Sequence, residues 1–285
     1  MLSYLGYRLL EIITLLLPYP LAYTVAHYSS MLWFATGTNV GYIKKNISTV
    51  LKKDIDDPEV HRIAKKIFIN WGKNIVDFLK LGVVSKERLR QRTRLNGVRH
   101  IDKALEQGKG VVLFTCHIGN FEWGACRLAV DGYAIRGVSL IRKSERTNWF
   151  FESKRLSKDV QTLYINRIVN VFKYLKDNEI IAIPSDWDSS ENRKRQFDFY
   201  GKKAYLPTGA VQIALKSGAA LIPCFIWRKD KYTHQQIVEE PIKLDRTGEK
   251  EEQLEKNIKK VLPLMEKYIS EHIEEWELFH NIWVN

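Results

Sequence analysis

His117 and Glu122 are the residues whose types and spacing could carry out acid–base chemistry. They stand five positions apart, with Gly119 and Asn120 between them. On one continuous helix their side chains would point about 140° apart, but a turn at the glycine can fold the carboxylate back toward the imidazole. A neutral imidazole accepts the proton of an attacking hydroxyl, and a carboxylate on its other nitrogen fixes the tautomer. The sequence therefore predicts a general base, His117, oriented by Glu122.

Two other kinds of catalytic site find little support in the sequence. No His-Glu-x-x-His spacing occurs, and the remaining histidines are scattered along the chain, so a metal site is not expected. A serine esterase is disfavoured because no Gly-x-Ser-x-Gly elbow is present. The oxyanion of a tetrahedral intermediate would instead be met by backbone N–H groups around Gly119 and at the start of the following helix.

Alternating strand and helix patterns surround this motif. Short apolar runs rich in β-formers, typical of buried strands, cover 110–116, 134–141, 160–164, 180–184 and 219–227. Helical patterns cover 39–81 with a stop near 54–58, then 122–130, 145–158, 168–176, 206–216 and 251–272. The alternation predicts an α/β fold with a central, largely parallel sheet flanked by helices. Ligands bind beyond the carboxyl ends of such strands, which is where His117 stands.

The first 34 residues are very apolar and are interrupted by Arg8, Glu11, Pro18 and Pro20. A spanning helix needs about 20 uninterrupted apolar residues, so we predict two short helices with a proline break. The tyrosines and the tryptophan of this stretch suit headgroup depth. We expect residues 1–38 to form an apolar, membrane-associating helical segment and 39–285 the catalytic domain. The alternative is a helical hairpin packed on the domain's own core.

Composition restricts the class of protein. The 285 residues, with 45% hydrophobic and 12% aromatic residues, can build a substantial core in one large α/β domain. A net charge of +12 favours an acidic partner such as nucleic acid, anionic lipid or a phosphorylated substrate, or is simply a basic surface. No nucleic-acid-binding motif accompanies the charge. Cys116, Cys126 and Cys224 have no metal spacing and are expected to be buried thiols.

Five blocks of the chain stand in one order, at 114–125, 183–188, 199–209, 214–225 and 276–283. The first, Phe-Thr-Cys-His-Ile-Gly-Asn-Phe-Glu-Trp-Gly-Ala, closely resembles the catalytic block of the lipid A biosynthesis lauroyl/myristoyl acyltransferases. That family belongs to the lysophospholipid acyltransferase superfamily, whose hallmark is His-x4-Asp/Glu, and it includes enzymes that acylate mannosylated phosphatidylinositol. The other blocks resemble its later motifs, and together they cover most of the chain. The sequence departs from the pattern at Trp187, which stands where the family usually has glutamine.

The resemblance also implies substrate contacts. Arg142, Arg155 and Arg167 fall in the family's basic stretch, and their guanidinium groups would hold phosphate. Asp186 and Asp188 would position Arg155 or the acceptor sugar, or would form ordinary surface ion pairs.

The remaining predicted contacts are backbone groups near helix starts. Thr208 and Gly209 begin a predicted helix whose N–H groups would hold an anion, although a plain cap is the alternative. Gly119 and Asn120 complete the predicted substrate-binding set.

We therefore expect an acyltransferase that moves a fatty acyl group from a thioester, on acyl carrier protein or coenzyme A, to a hydroxyl of a glycolipid or a phosphorylated lipid such as a lipid A precursor. No metal or organic cofactor is expected because the thioester is already activated. The enzyme would act at the cytoplasmic face of the inner membrane, held by anionic headgroups. Two alternatives stay open: a hydrolase with the same dyad, and a non-catalytic membrane scaffold with this fold.

Overall fold

The computed structural model describes residues 2–187 and 195–284. Asp188, the last residue of the 183–188 block, lies outside the described residues. The helices are α1 (Leu2–Leu16), α2 (Tyr19–Ala35), α3 (Val40–Leu51), α4 (Pro58–Leu79), α5 (Lys86–Gln91), α6 (Arg99–Leu105), α7 (Phe121–Val130), α8 (Glu145–Leu156), α9 (Val171–Lys176), α10 (Gly209–Ser217) and α11 (Lys250–Glu271). The strands are β1 (Thr93–Asn96), β2 (Val111–Thr115), β3 (Ile135–Ser139), β4 (Gln161–Tyr164), β5 (Ile180–Pro184), β6 (Gln196–Phe199), β7 (Lys202–Tyr205), β8 (Ala220–Arg228) and β9 (His234–Val238). Short 3₁₀ helices lie at Ile165–Asn170 and Ile273–Glu275.

One sheet organises the molecule, with the strand order β1-β9-β8-β2-β5-β3-β4. Its neighbours run parallel, except that β8 and β9 are antiparallel. The prediction of an α/β fold with a largely parallel sheet is confirmed. The sequence patterns missed β1 and β9 because these strands are short and largely polar. They pair with each other only in the folded sheet. The sequence patterns also missed the separate antiparallel hairpin of β6 and β7.

The central strand β2 is apolar from Val111 to Phe114 because both of its faces are buried there. Val112 and Phe114 belong to the core on the side of α9, α10 and α11. Val111 and Leu113 belong to the opposite core, which contains the fully buried Trp123 of α7. Because β2 is packed on both faces, it holds the residues that follow its carboxyl end in a fixed position.

The register between β2 and β5 determines which side chains meet at that end. These parallel strands pair Thr115 with Pro184. His117 and Asp186 each follow this pair by two residues. Both strands therefore place a side chain at the same level beyond the sheet edge. In a parallel sheet all such ends lie on one side, and the site is therefore built from segments about 70 residues apart in sequence.

The N-terminal residues form the two predicted helices, α1 and α2, with the break after Leu16. Polar contacts join them to the rest of the chain. Tyr23 on α2 donates a hydrogen bond of 2.5 Å to Asp77 on α4, and Lys154 on α8 pairs with the buried Glu11 on α1.

The outer surface of α1 and α2 is apolar. The large hydrophobic side chains exposed on it are Leu5, Leu9, Leu10, Ile12, Ile13, Leu15, Leu16, Leu21, Val25, Tyr28 and Leu32. In the part of the chain that the structure describes, no helix combines the length and hydropathy needed to cross a bilayer.

Candidate active site

His117 lies just beyond β2, and its imidazole is held by a buried carboxylate. Nδ1 of His117 is 2.7 Å from Oδ1 of Asp186, and the backbone N–H of His117 donates to Oδ2 of Asp186 at 2.9 Å. The indole Nε1 of Trp276 donates to the same Oδ2, also at 2.9 Å. Asp186 is fully buried. Three hydrogen bonds, two from His117 and one from Trp276, thus fix the orientation of the carboxylate. Nε2 of the imidazole is left to contact another group.

The electrostatics of this pair follow from its burial. Burial by itself lowers the pKa of His117, but the charge of Asp186 and the hydrogen bond to it outweigh that effect and raise the pKa above its ordinary value. Burial raises the pKa of Asp186, but His117 and the donors around the carboxylate outweigh it and hold the pKa below its ordinary value. The pair thus favours an ionised carboxylate and an imidazole that is more basic than usual.

Glu122 was predicted to orient His117, but the structure places Asp186 in that position. The Glu122 carboxylate receives a two-pronged ion pair from Arg155, with Nε to Oε2 at 2.8 Å and Nη2 to Oε1 at 2.5 Å. The local reason is that Asn120 caps α7 by accepting from the Trp123 N–H, so Glu122 lies in the first helical turn and its side chain reaches α8. Its charge still contributes to the raised pKa of His117.

The turn between His117 and α7 depends on Gly119, which has a positive φ of 57°. Its N–H donates to the carbonyl of Glu275 at 2.8 Å, and the Glu277 N–H donates to the carbonyl of His117 at 2.8 Å. The segment around Trp276 therefore runs beside the turn as a short antiparallel bridge. The Gly119 N–H, which was predicted to stabilise an oxyanion, is already satisfied by the protein.

Replacing Gly119 with alanine should damage both stability and activity. A Cβ at this position would lie 2.4 Å from the carbonyl oxygen of Ile226 and 2.8 Å from Cα of Trp227, and the backbone conformation itself disfavours a side chain. We expect a loss of at least about 2 kcal/mol in the free energy of unfolding, measured by denaturant titration. Gly41→Ala is the control, since its Cβ meets nothing within 4 Å. Equal stabilities of the two variants would contradict the role given to Gly119.

A pocket of about 290 Å³ opens beside His117, at the ends of β3 and β5. Its charged lining residues are Glu122, Arg142 and Arg155. Most of the rest are apolar or small: Thr115, Phe121, Ala125, Gly137, Val138, Ser139, Leu140, Val160, Ile165, Ala182, Pro184 and Trp187. A pocket of this kind suits an apolar chain that ends in a polar, reacting group.

The predicted arginines occupy different surroundings. Arg142 lines the pocket with its guanidinium 3.8 Å from the ring centre of Phe151, and burial lowers its pKa. Arg155 also lines the pocket, but two of its nitrogens are held by Glu122. Arg167 is exposed on the 3₁₀ helix after β4. The structure thus brings two of the three arginines to His117.

Thr208, Gly209, Asn120 and Arg167 are not among the described residues that line the pocket. Thr208 precedes α10 and accepts a hydrogen bond from Gln212. Trp276 is the site residue that reasoning from the sequence missed. Its signal was present in the 276–283 block, but nothing in that block says that the indole reaches Asp186. In the two described ranges, no three His, Cys, Asp or Glu side chains meet in an arrangement that would hold a metal ion.

The Glu122–Arg155 pair should be important for stability. The two side chains are only 20% and 9% exposed, so Arg155→Met leaves a partly buried carboxylate without its partner. We expect a loss of about 3 kcal/mol in the free energy of unfolding, measured in denaturant. The double variant Glu122→Leu/Arg155→Met should recover much of that loss, because apolar replacement of both partners removes the unpaired charge. A cost below about 1 kcal/mol for Arg155→Met would place the pair with weak surface bridges instead.

Fold and site together define a class of α/β protein with an imidazole–carboxylate pair at a strand end, beside a largely apolar pocket. The profile of the bacterial lipid A biosynthesis acyltransferases matches residues 1–285. The chain belongs to this family.

Two individual relatives are named acyltransferases. A phosphatidylinositol mannoside acyltransferase of Mycobacterium tuberculosis (strain ATCC 25618 / H37Rv) is 24% identical over 205 residues, which are 68% of this chain and 63% of that protein. The protein of that name from Mycolicibacterium smegmatis is 23% identical over 193 residues, 65% of this chain and 62% of the relative. The matched region thus spans under two thirds of the length of these relatives. The crystal structure of the 1-acyl-sn-glycerophosphate acyltransferase PlsC from Thermotoga maritima covers 87% of this chain and 97% of its own at 14% identity, with a TM-score of 0.41.

Proposed function

We propose that this protein transfers a fatty acyl group from a thioester, on acyl carrier protein or coenzyme A, to a hydroxyl of a glycolipid or a phosphorylated lipid. The observation that carries the proposal is the contact between His117 and the buried Asp186 at the edge of the pocket. The names of the relatives favour a glycolipid acceptor such as a mannosylated phosphatidylinositol, and the family name favours a lipid A precursor.

The chemistry follows from the fixed imidazole. With a proton on Nδ1, shared with Asp186, the lone pair of Nε2 takes the proton of the acceptor hydroxyl as its oxygen attacks the thioester carbonyl. A carbon–oxygen bond forms and the carbonyl oxygen carries the charge of the tetrahedral intermediate. When the intermediate collapses, the carbon–sulfur bond breaks and the imidazolium returns its proton to the leaving thiolate. Asp186 stabilises the imidazolium between the two steps, and no cofactor enters the balance.

The pocket lining supports a separate position for each part of the substrate. We propose that the acyl chain lies along the apolar wall that contains Val138, Ala182 and Pro184. Arg142 contacts a phosphate of the acceptor or donor, while Arg155 holds Glu122 beside the imidazole. A contact between Arg167 and substrate stays a prediction, as do the anion sites at Thr208 and Gly209.

The proposal is tested by incubating the purified protein with radiolabelled acyl thioester and total membrane lipid, beside His117→Ala, and separating the lipids. We expect a labelled lipid from wild type that the variant does not make, and its mobility identifies the acceptor. Free fatty acid as the sole product would favour a hydrolase that uses the same pair. Labelling of lipid by both proteins would remove His117 from the mechanism, and tight vesicle binding without turnover on either thioester would favour a scaffold.

We further propose that α1 and α2 place the enzyme on an anionic membrane, at the cytoplasmic face of the inner membrane. The exposed apolar side chains of these two helices and the net charge of +12 support this location. In this arrangement the two helices lie in one leaflet.

The double variant Leu9→Glu/Leu16→Glu should weaken binding to vesicles that contain anionic lipid. The two leucines are 60% and 78% exposed, and burying one such side chain in lipid contributes about 2 kcal/mol. We expect vesicle affinity to fall at least roughly tenfold, measured by co-sedimentation. Ile55→Glu, on an exposed residue outside these helices, is the control and should bind like wild type. Unchanged binding of the double variant would refute the role of α1 and α2.

A further inference from the structure

A cleft of about 870 Å³ lies apart from the catalytic pocket and shares none of that pocket's described lining residues. Its walls are α2, α4, the end of β8 and the segment 271–275. The carbonyl of Glu275 accepts the hydrogen bond from Gly119, so the cleft lies directly behind the catalytic turn. Its size is within the range of small-molecule sites.

Two residues that line this cleft, Glu275 and Arg228, each have one buried polar atom without a hydrogen bond in the described part of the chain, although Arg228 donates through Nη2 to Asn74 and Asp77. Oε2 of Glu275 and Nε of Arg228 are enclosed and make no hydrogen bond. Glu275 is only 8% exposed, and burial raises the pKa of its carboxyl to about 7. An enclosed acceptor and an enclosed donor without partners are costly. A ligand hydroxyl that reached these atoms would satisfy both, because it donates one hydrogen bond and accepts others.

The charges around the cleft are balanced. The cations that line it are Arg62, Lys66, Lys73, Arg228 and Lys231, and the carboxylates are Glu59, Asp230, Glu271, Glu274 and Glu275. Several already pair with each other, since Arg62 and Lys66 both contact Glu274. A site for a bare phosphate would have an excess of cations, so this lining favours a neutral ligand with many hydroxyls.

Aromatic rings complete the lining. Trp227 and His272 stack with ring centres 4.0 Å apart, and both line the cleft together with His27 and Tyr28 of α2. Tyr28 is 66% exposed on the helix whose outer surface is apolar. Flat apolar rings beside paired donors and acceptors suit the C–H faces and hydroxyls of a sugar ring.

We propose that this cleft is a second ligand site, which binds the ring of a sugar or other cyclic polyol behind the catalytic turn. Such a ring is presented by a free sugar or by the headgroup of a glycolipid. The position of Tyr28 beside the apolar surface of α2 would let a headgroup enter while its chains stay in the membrane.

The proposal is tested by ligand-observed NMR on the full chain, with D-glucose, D-galactose and myo-inositol as probes. We expect binding of at least one of them with a Kd tighter than about 10 mM, weakened about tenfold by Glu275→Gln. Tyr28→Ala, an exposed change that leaves the core intact, should also weaken it. His117→Ala and Glu277→Gln are controls that should bind like wild type, because neither residue lines the cleft.

A comparison of D-glucose with octyl glucoside, below its micelle-forming concentration, distinguishes the two sources. Tighter binding of the alkyl glycoside supports a lipid headgroup, and equal binding supports a free sugar. Binding of inorganic phosphate or phosphoethanolamine without any sugar would overturn the proposal. So would sugar binding that is lost in His117→Ala and kept in Glu275→Gln, or no sugar binding at all. Each of these outcomes is independent of acyl transfer.

Discussion

The His117→Ala variant should transfer acyl groups about 10²–10⁴ times more slowly than wild type, the usual effect of losing a general base. The imidazole is the group at the pocket edge whose free nitrogen can accept the hydroxyl proton, since Nδ1 is held by Asp186. The rate constant at saturating substrate should carry most of the loss, because the apolar lining proposed to bind the acyl chain is unchanged. Steady-state transfer of a radiolabelled acyl group measures it.

His61→Ala is the matched control for this prediction, because His61 is exposed on α4. It should transfer at the wild-type rate, and thermal unfolding of both variants would show that they are folded. If His117→Ala retained a rate within about tenfold of wild type, the imidazole would not be the base.

The Asp186→Asn variant should lose a comparable factor, on the order of 10²–10⁴. Oδ2 of Asp186 receives two N–H groups, from His117 and Trp276, so the amide oxygen of asparagine must take that position. Its NH₂ group then faces Nδ1, which must become an acceptor, and the ring proton moves to Nε2. A protonated Nε2 cannot accept the proton of the acceptor hydroxyl.

The pH dependence of the rate distinguishes the loss of the Asp186 charge from a general disruption of the site. The base works only as neutral imidazole, so the rate of wild type should rise with pH through a His117 pKa above its ordinary value. Without the charge of Asp186, burial lowers that pKa, and the residual activity of Asp186→Asn should begin to rise at lower pH. Trp276→Phe keeps the carboxylate and should lose far less. An unshifted profile in Asp186→Asn would contradict the coupling between the two groups.

Local patterns in the sequence were sufficient to predict most elements. Apolar runs bounded by glycine and proline predicted β2, β5 and β8, because strands buried on both faces contain few polar residues. The short, polar β1 and β9 lack that signal. The proline break after α1 was also predicted correctly, since proline restricts the residue before it.

The sequence by itself determined the α/β fold, the helix pair at the N-terminus and His117 at a strand end, because these depend on neighbours within about ten residues. The tertiary structure decided the partners. Glu122 is near His117 in the chain, yet the start of α7 directs its carboxylate to Arg155. Asp186 reaches the imidazole because β2 and β5 pair with Thr115 opposite Pro184, and Trp276 reaches Asp186 because the C-terminal segment bridges Ile118. Strand register and the packing of the C-terminal segment bring together residues that are distant in sequence. No local sequence pattern specifies these contacts.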